Sequence, residues 1–212
     1  MRNPILFVRA IQAVLLLGAG LGIYEGRWST VFVALATWAL TLSPRRFALW
    51  LGITLPKSFL LAIVFFIFAT LYLGEVADFY ERFWWWDMVL HGGSAVGFGL
   101  LGFLFIFMLF EGDRFAAPPF AIAILSFATA VSIGAIWEIF EFAMDQIFGL
   151  NMQKSGLPDT MGDLIIDTIG AGLGSGAGYL YLKGQQLGGL GTALDEFVTL
   201  NRRWYRKLRR KA

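Results

Sequence analysis

The chain has 212 residues, 58% of them hydrophobic and 15% charged, with a mean hydropathy of +0.67. Soluble domains carry about 45–50% apolar and about 25% charged residues, so the composition excludes an ordinary soluble fold and points to a polytopic membrane protein. A net charge of +2 says little by itself, and the lack of cysteine excludes disulfides, thiolate metal sites and cysteine nucleophiles.

Apolar runs of about 20 residues mark membrane-spanning helices. The sequence predicts an all-α bundle of about six, near residues 5–24, 29–43, 58–75, 86–110, 119–145 and 159–182. The first has no small-residue cleavage site after it, so it reads as a span and not as a signal peptide. Residues 47–55 are apolar but short and precede Pro56 and Lys57, which suits an interfacial piece or a pre-turn of the third span. Pro118 and Pro119 stand where proline is tolerated, at the start of the fifth. The expected organisation is a helical membrane domain over 1–189, with its motifs in 58–182, and a basic tail over 190–212.

Charge asymmetry orients the bundle. With the N-terminus in the cytoplasm, 14 of the 17 Lys and Arg fall in inner segments, and only Arg27, Arg82 and Lys154 lie outside. Both termini are then cytoplasmic. Tyr24, Trp28, Tyr80, Trp84, Trp85 and Trp86 would form the outer aromatic belt.

The fourth, fifth and sixth spans each carry a ladder of ionisable residues at helical spacing. Asp87 and His91 are four apart; Glu138, Glu141 and Asp145 follow at three and four; Asp159, Asp163 and Asp167 follow at four and four. A carboxylate at the bilayer centre costs about 2.5–3.5 kcal/mol on insertion scales. In the predicted topology all three ladders fall at the outer ends of their helices, at one depth. Asp159 alone reads as an N-cap after Pro158, Asp87 alone as a cap of the fourth span, and Asp145 as interfacial. Glu138, Glu141, Asp163 and Asp167 have no such reading, since Trp137, Phe140, Ile165 and Ile166 surround them with apolar sequence.

Close carboxylates must be neutralised by protons or by a cation. Oxygen ligands with one imidazole favour Mg²⁺, Mn²⁺ or Ca²⁺, with Zn²⁺ or Fe²⁺ also possible through the histidine. The expected ligands are His91, Glu138, Glu141, Asp163 and Asp167, and the expected catalytic groups are Asp87 and Asp159 at the aqueous rim. Such a site near the outer leaflet suits a metal-dependent hydrolase or transferase acting on a lipid or lipid-linked phosphate. The alternatives are a proton- or cation-coupled transporter and a structural or partner-binding protein with a structural metal. Glycines in the fourth span (Gly92, Gly93, Gly97, Gly99, Gly102) and sixth span (Gly170, Gly172, Gly174, Gly176, Gly178) allow these two helices to pack closely, bringing His91 toward Asp163 and Asp167.

Asp159-x3-Asp163-x3-Asp167 is similar to the second half of the CDP-alcohol phosphotransferase motif, whose Asp-x2-Asp-Gly first half is absent. Taken in order, Trp86-Asp87-x3-His91-Gly92-Gly93, Trp137-Glu138-x2-Glu141-x3-Asp145 and Asp159 to Ala171 resemble the YjdF-like bacterial inner-membrane proteins, and more distantly the VanZ-like proteins. The resemblance covers roughly residues 58–182. It implies a shared site at the ladders and leaves the substrate open; VanZ-like proteins are associated with teicoplanin resistance. The chain departs from the YjdF-like pattern at Asn151-Met152-Gln153-Lys154, and it has Asp167 where those proteins often have Asn.

The tail begins with a polar, weakly helical stretch. It ends in Arg202, Arg203, Arg206, Lys207, Arg209, Arg210 and Lys211, with Trp204 and Tyr205 between them. A basic, aromatic segment beside a span suits contact with anionic lipid, at about 1 kcal/mol per basic residue. Nucleic-acid binding is the weaker reading.

Overall fold

The computed structural model describes residues 4–110 and 117–209, and among them all regular structure is helical. Among the described residues, four helical stretches are long and apolar enough to cross a membrane: Ile5–Tyr24, Lys57–Val76, Trp86–Leu109 and Pro119–Phe148. These are the first, third, fourth and fifth expected spans. The second is a 14-residue helix. The sixth has ample length at 26 residues, but three aspartates and its glycines dilute its hydropathy. Many large apolar side chains face outward, including Leu17, Phe32, Ile136, Ile139 and Ile165. Such exposure is a liability in water and ordinary against lipid.

The chain divides into two compact units. Among the described residues, 4–86 with 195–208 form one, and 87–110, 117–194 and 209 form the other. In the first, α1 (Pro4–Tyr24) and α2 (Trp28–Thr41) form a hairpin that turns through Gly26 in the left-handed region at φ 70°. α4 (Lys57–Ile67) packs against both and continues as a π-helix over Phe68–Val76, and the short α5 (Phe79–Arg82) follows. The core is Ile11, Leu15 and Val64, covered by Val8, Trp38, Leu60, Phe68 and Tyr72. Gly18 is open enough for the Tyr72 hydroxyl to pack where a Cβ would stand. The amide of Gln12 donates to Thr41 Oγ1 at 3.1 Å, pairing polar groups between α1 and α2.

The short apolar piece before Pro56 differs from its expected limits. Helix α3 starts earlier, at Ser43–Pro44, and ends at Leu51 with Gly52 at φ 69°. Proline is favoured in a first helical turn and glycine just past the last, which sets both ends. Pro44 and Ala48 are buried while Arg45, Arg46, Phe47, Leu49 and Trp50 are exposed, so α3 is amphipathic, as an interfacial piece should be.

The tail is more ordered than its composition suggests. Residues Gly188–Arg209 form one helix, α9. Its buried stripe of Leu194, Phe197 and Asn201 follows three- and four-residue spacing. The Phe197 ring stacks on Phe59 with centroids 5.8 Å apart. Asn201 is 2% exposed. Its amide donates to the Thr54 carbonyl at 2.9 Å, and its Oδ1 accepts the Thr54 N–H at 2.7 Å. Both backbone groups of the turn before α4 are thereby satisfied.

The second unit is built on α6 (Trp86–Leu109), α7 (Pro119–Phe148) and α8 (Leu157–Leu182). Gly170, Gly174 and Gly178 of α8 face α6, one helical turn apart. A Cβ on Gly170 would meet the Gly92 carbonyl and Ala95; one on Gly174 would meet Val96 and Gly99; one on Gly178 would meet Phe103. The expected close packing of these two helices is therefore present. Gly102 instead faces Ser126 and Thr129 of α7, and Gly93, Gly97, Gly172 and Gly176 have open space beside them.

Candidate metal centre

Helices α6 and α8 run one way, in direct contact, and α7 runs back alongside them. The first turns of α6 and α8 therefore lie beside the last turns of α7, and that end of the unit holds all three ladders. His91 (8% exposed), Glu138 (4%), Asp163 (4%) and Asp167 (3%) are buried together. His91 Nδ1 lies 3.4 and 3.5 Å from the two oxygens of Asp167 and 3.9 Å from Glu138 Oε1. Asp87, His91 and Asp163 each place one ligand atom within 4.8 Å of the other two, a spacing that could hold a metal ion.

These groups are incompletely partnered. Both oxygens of Glu138 and Oδ1 of Asp167 are fully buried with no hydrogen bond, although the Thr160 hydroxyl stands near Glu138. Among the described residues no Lys or Arg forms an ion pair with Glu138, Asp163 or Asp167. Buried carboxylates without compensation are strongly disfavoured. A hard cation or bound protons complete such a set, and the mixture of several carboxylate oxygens with one imidazole suits a divalent ion.

The remaining expected site residues stand apart from this buried set, except that the Asp87 carboxylate reaches His91 and Asp163. Glu141 is half-buried and accepts the indole N–H of Trp137 at 2.9 Å, one turn back on α7. It is not part of the mutually close group of ligand atoms. Asp87 and Asp159 are half-buried in the first turns of α6 and α8. Gly156 is the N-cap of α8, so Asp159 lies inside the helix and is not its cap; its N–H bonds the Gly156 carbonyl at 3.0 Å. Asp145 has a structural task. It accepts the N–H groups of Met152 at 2.7 Å and Gln153 at 2.9 Å, and so shapes the α7–α8 loop. The Gln153 side chain then donates to Thr160 Oγ1 at 2.6 Å, fastening that loop to the first turn of α8.

The residues the sequence reading passed over include Gly134. It lies one turn before Glu138 on α7, and the Asp167 carboxyl occupies the space its Cβ would need, with Cγ only 3.0 Å from that point. A lone glycine in an apolar helix, four residues from a buried carboxylate, is the signal that marks it.

A family model described as "Predicted membrane protein (DUF2238)" matches residues 6–184. A Thermotoga maritima protein, described as uncharacterized, is 31% identical over 116 residues, covering 55% of this chain and 59% of that protein. The match thus spans about three-fifths of that relative's length. No solved structure matches the chain.

Proposed function

The chain belongs to the DUF2238 family of predicted membrane proteins, and we propose that its buried carboxylate–histidine cluster holds a divalent cation in a metal-dependent hydrolase or transferase. The observation that carries this reading is the burial, without hydrogen bonds, of both Glu138 oxygens and Asp167 Oδ1 beside His91. Groups this costly in an apolar helix bundle are kept for a site. Mg²⁺, Mn²⁺ or Ca²⁺ fits the oxygen-rich set best, and Zn²⁺ or Fe²⁺ fits through His91.

A divalent ion at this position supplies a Lewis acid for a phosphoryl or carbonyl oxygen, or lowers the pKa of a bound water. The protein contributes the rest. Asp159, half-buried in the first turn of α8, is placed to take a proton from water at the rim, and Asp87 in the first turn of α6 stands beside His91 and Asp163. The outward faces of α7 and α8 beside the cluster carry Ile136, Ile139, Phe140, Ile165 and Ile169, which meet lipid and exclude water from that side. A substrate reaching the site along the membrane is therefore a lipid or a lipid-linked phosphate. The charge bias of the sequence supports a cluster in the outer leaflet with both termini inside, and the resemblance to YjdF-like proteins supports a bacterial inner membrane. The same bias assigns the basic residues from Arg202 onward to the anionic headgroups of the inner leaflet.

Metal analysis of the purified chain, with lipid phosphates assayed before and after chelation, tests the proposal. The expected result is a stoichiometric divalent ion and phosphate release that chelation abolishes and added metal restores. The metal reading is sunk by the absence of such an ion together with no rise in melting temperature on adding Mg²⁺, Mn²⁺, Ca²⁺ or Zn²⁺. A bound ion without turnover of any lipid phosphate would overturn the enzymatic part alone.

A further inference from the structure

We propose that His91 divides the cluster into two parts with different tasks: Asp167, flanked by Glu138, holds the Nδ1 edge of the ring, and Nε2 is thereby presented to a cation between Asp87 and Asp163. The inference rests on the metal reading above and revises its ligand set: Glu138, Glu141 and Asp167 leave it, and Asp87 joins His91 and Asp163.

The two edges of an imidazole cannot serve the same partner. Nδ1 has both Asp167 oxygens at 3.4 and 3.5 Å and Glu138 Oε1 at 3.9 Å, so that edge is already occupied by carboxylate. An ionised carboxylate only accepts hydrogen bonds. A hydrogen bond between them puts a proton on Nδ1, so a cation that His91 ligates is met by Nε2, which must give up any proton it carries. The atoms near enough to one another to share an ion belong to Asp87, His91 and Asp163, and neither Asp167 nor Glu138 is in that group. Metal-bound histidines usually donate their second N–H to a carboxylate in this way, which fixes the tautomer and raises the basicity of the ligating nitrogen.

Packing holds the arrangement in place. Asp167 is 3% exposed, and its carboxyl fills the notch left by the missing side chain of Gly134. It cannot swing toward α7 without meeting that backbone. Glu141, the fifth expected ligand, is engaged instead by the indole of Trp137. Three protein ligands leave coordination positions for water and substrate, as in catalytic metal sites.

The chain contains one histidine, so a ¹⁵N-histidine label reports on His91 alone. The test is a long-range ¹H–¹⁵N spectrum of the full chain in detergent, titrated with Zn²⁺, a diamagnetic ion that imidazole binds well. The expected result is a protonated Nδ1 throughout and a metal shift confined to Nε2. In the Asp167→Asn variant the amide oxygen still accepts from Nδ1, so ligation through Nε2 should persist with affinity lowered about 10- to 100-fold. In Asp163→Asn stoichiometric binding should be lost. Metal on Nδ1 of the wild-type ring would overturn the inference while leaving the metal reading intact. So would complete loss of metal in a folded Asp167→Asn chain, at the level of Asp163→Asn. If the wild-type spectrum does not respond to Zn²⁺, Mg²⁺, Mn²⁺ or Ca²⁺, the metal reading itself fails and this inference falls with it.

Discussion

Gly134 of α7 and Asp167 of α8 share a space that only one of them can fill: the Asp167 carboxyl lies where a Cβ on residue 134 would be. Asp167 in turn lies 3.4 Å from His91 Nδ1. The missing side chain on α7 therefore sets the position of the carboxylate that faces the histidine of α6. This contact links all three helices at the centre, beside the glycine contacts that join α6 to α8.

Gly134→Ala should thus act on the site as well as on the fold. Overpacking of this kind costs about 1–3 kcal/mol, because the methyl meets a buried carboxyl whose neighbours also come from packed helices. The expected outcome is a lower melting temperature in detergent together with a smaller further rise on adding metal. A substitution that lowers the melting temperature but leaves the metal-induced rise unchanged would show that Asp167 can relax without disturbing the centre.

The two glycine stripes of α8 should respond differently to the same change. Gly174→Ala puts a methyl against the Val96 carbonyl and Gly99 of α6, both backbone, so the helices must separate. A loss of about 1–3 kcal/mol is expected. Gly172→Ala meets open space. It should be neutral or slightly stabilising, since alanine is favoured over glycine in a helix by up to about 1 kcal/mol. Thermal unfolding of the two variants side by side checks this, and equal destabilisation would contradict the assigned interface.

The ladders were legible because side chains at spacings of three and four share a helix face, and because a carboxylate within an apolar run is conspicuous. That reading brought together His91, Glu138, Asp163 and Asp167 across three helices. The phase of the glycine stripes was not legible. Gly170-Gly174-Gly178 and Gly172-Gly176 have the same four-residue spacing, and only the contact with Val96 and Gly99 separates them. Glu141 was equally ambiguous, because its spacing from Glu138 fits the ladder as well as its spacing from Trp137 fits an intrahelical hydrogen bond. In the tail, the buried stripe of α9 includes Asn201, a polar residue that breaks an apolar pattern unless its partner at Thr54 is known.

Asn201 should matter more than its place in a polar tail suggests. Replacing it with leucine leaves the Thr54 N–H and carbonyl without their partner in a buried setting, at a cost of about 1–3 kcal/mol for unsatisfied groups. α9 should loosen first. The expected result is faster proteolytic cleavage within residues 195–209 while the spans stay intact, with a lower melting temperature for the whole chain. Unchanged cleavage in Asn201→Leu would show that the Phe197–Phe59 stack alone docks the helix.

Metal binding at the centre should be lost by changing Asp163 and survive changing Glu141. Asp163 is buried within the close group of ligand atoms, whereas Glu141 is held by Trp137 outside it. Ligation requires a deprotonated carboxylate and an imidazole nitrogen free of its proton, so protons compete with the ion and affinity falls as pH falls. Stabilisation by a bound ion is about 2.7 kcal/mol at 100 times the dissociation constant. The metal-induced rise in melting temperature should therefore be larger at about pH 8 than at about pH 5 in the wild-type chain. It should keep that trend in Glu141→Gln, whose amide still accepts the indole N–H, and vanish at both values in Asp163→Asn. Loss of the rise in Glu141→Gln would return Glu141 to the ligand set. A rise in Asp163→Asn equal to that of the wild type would place the ion elsewhere in the cluster, on Asp167 and Glu138.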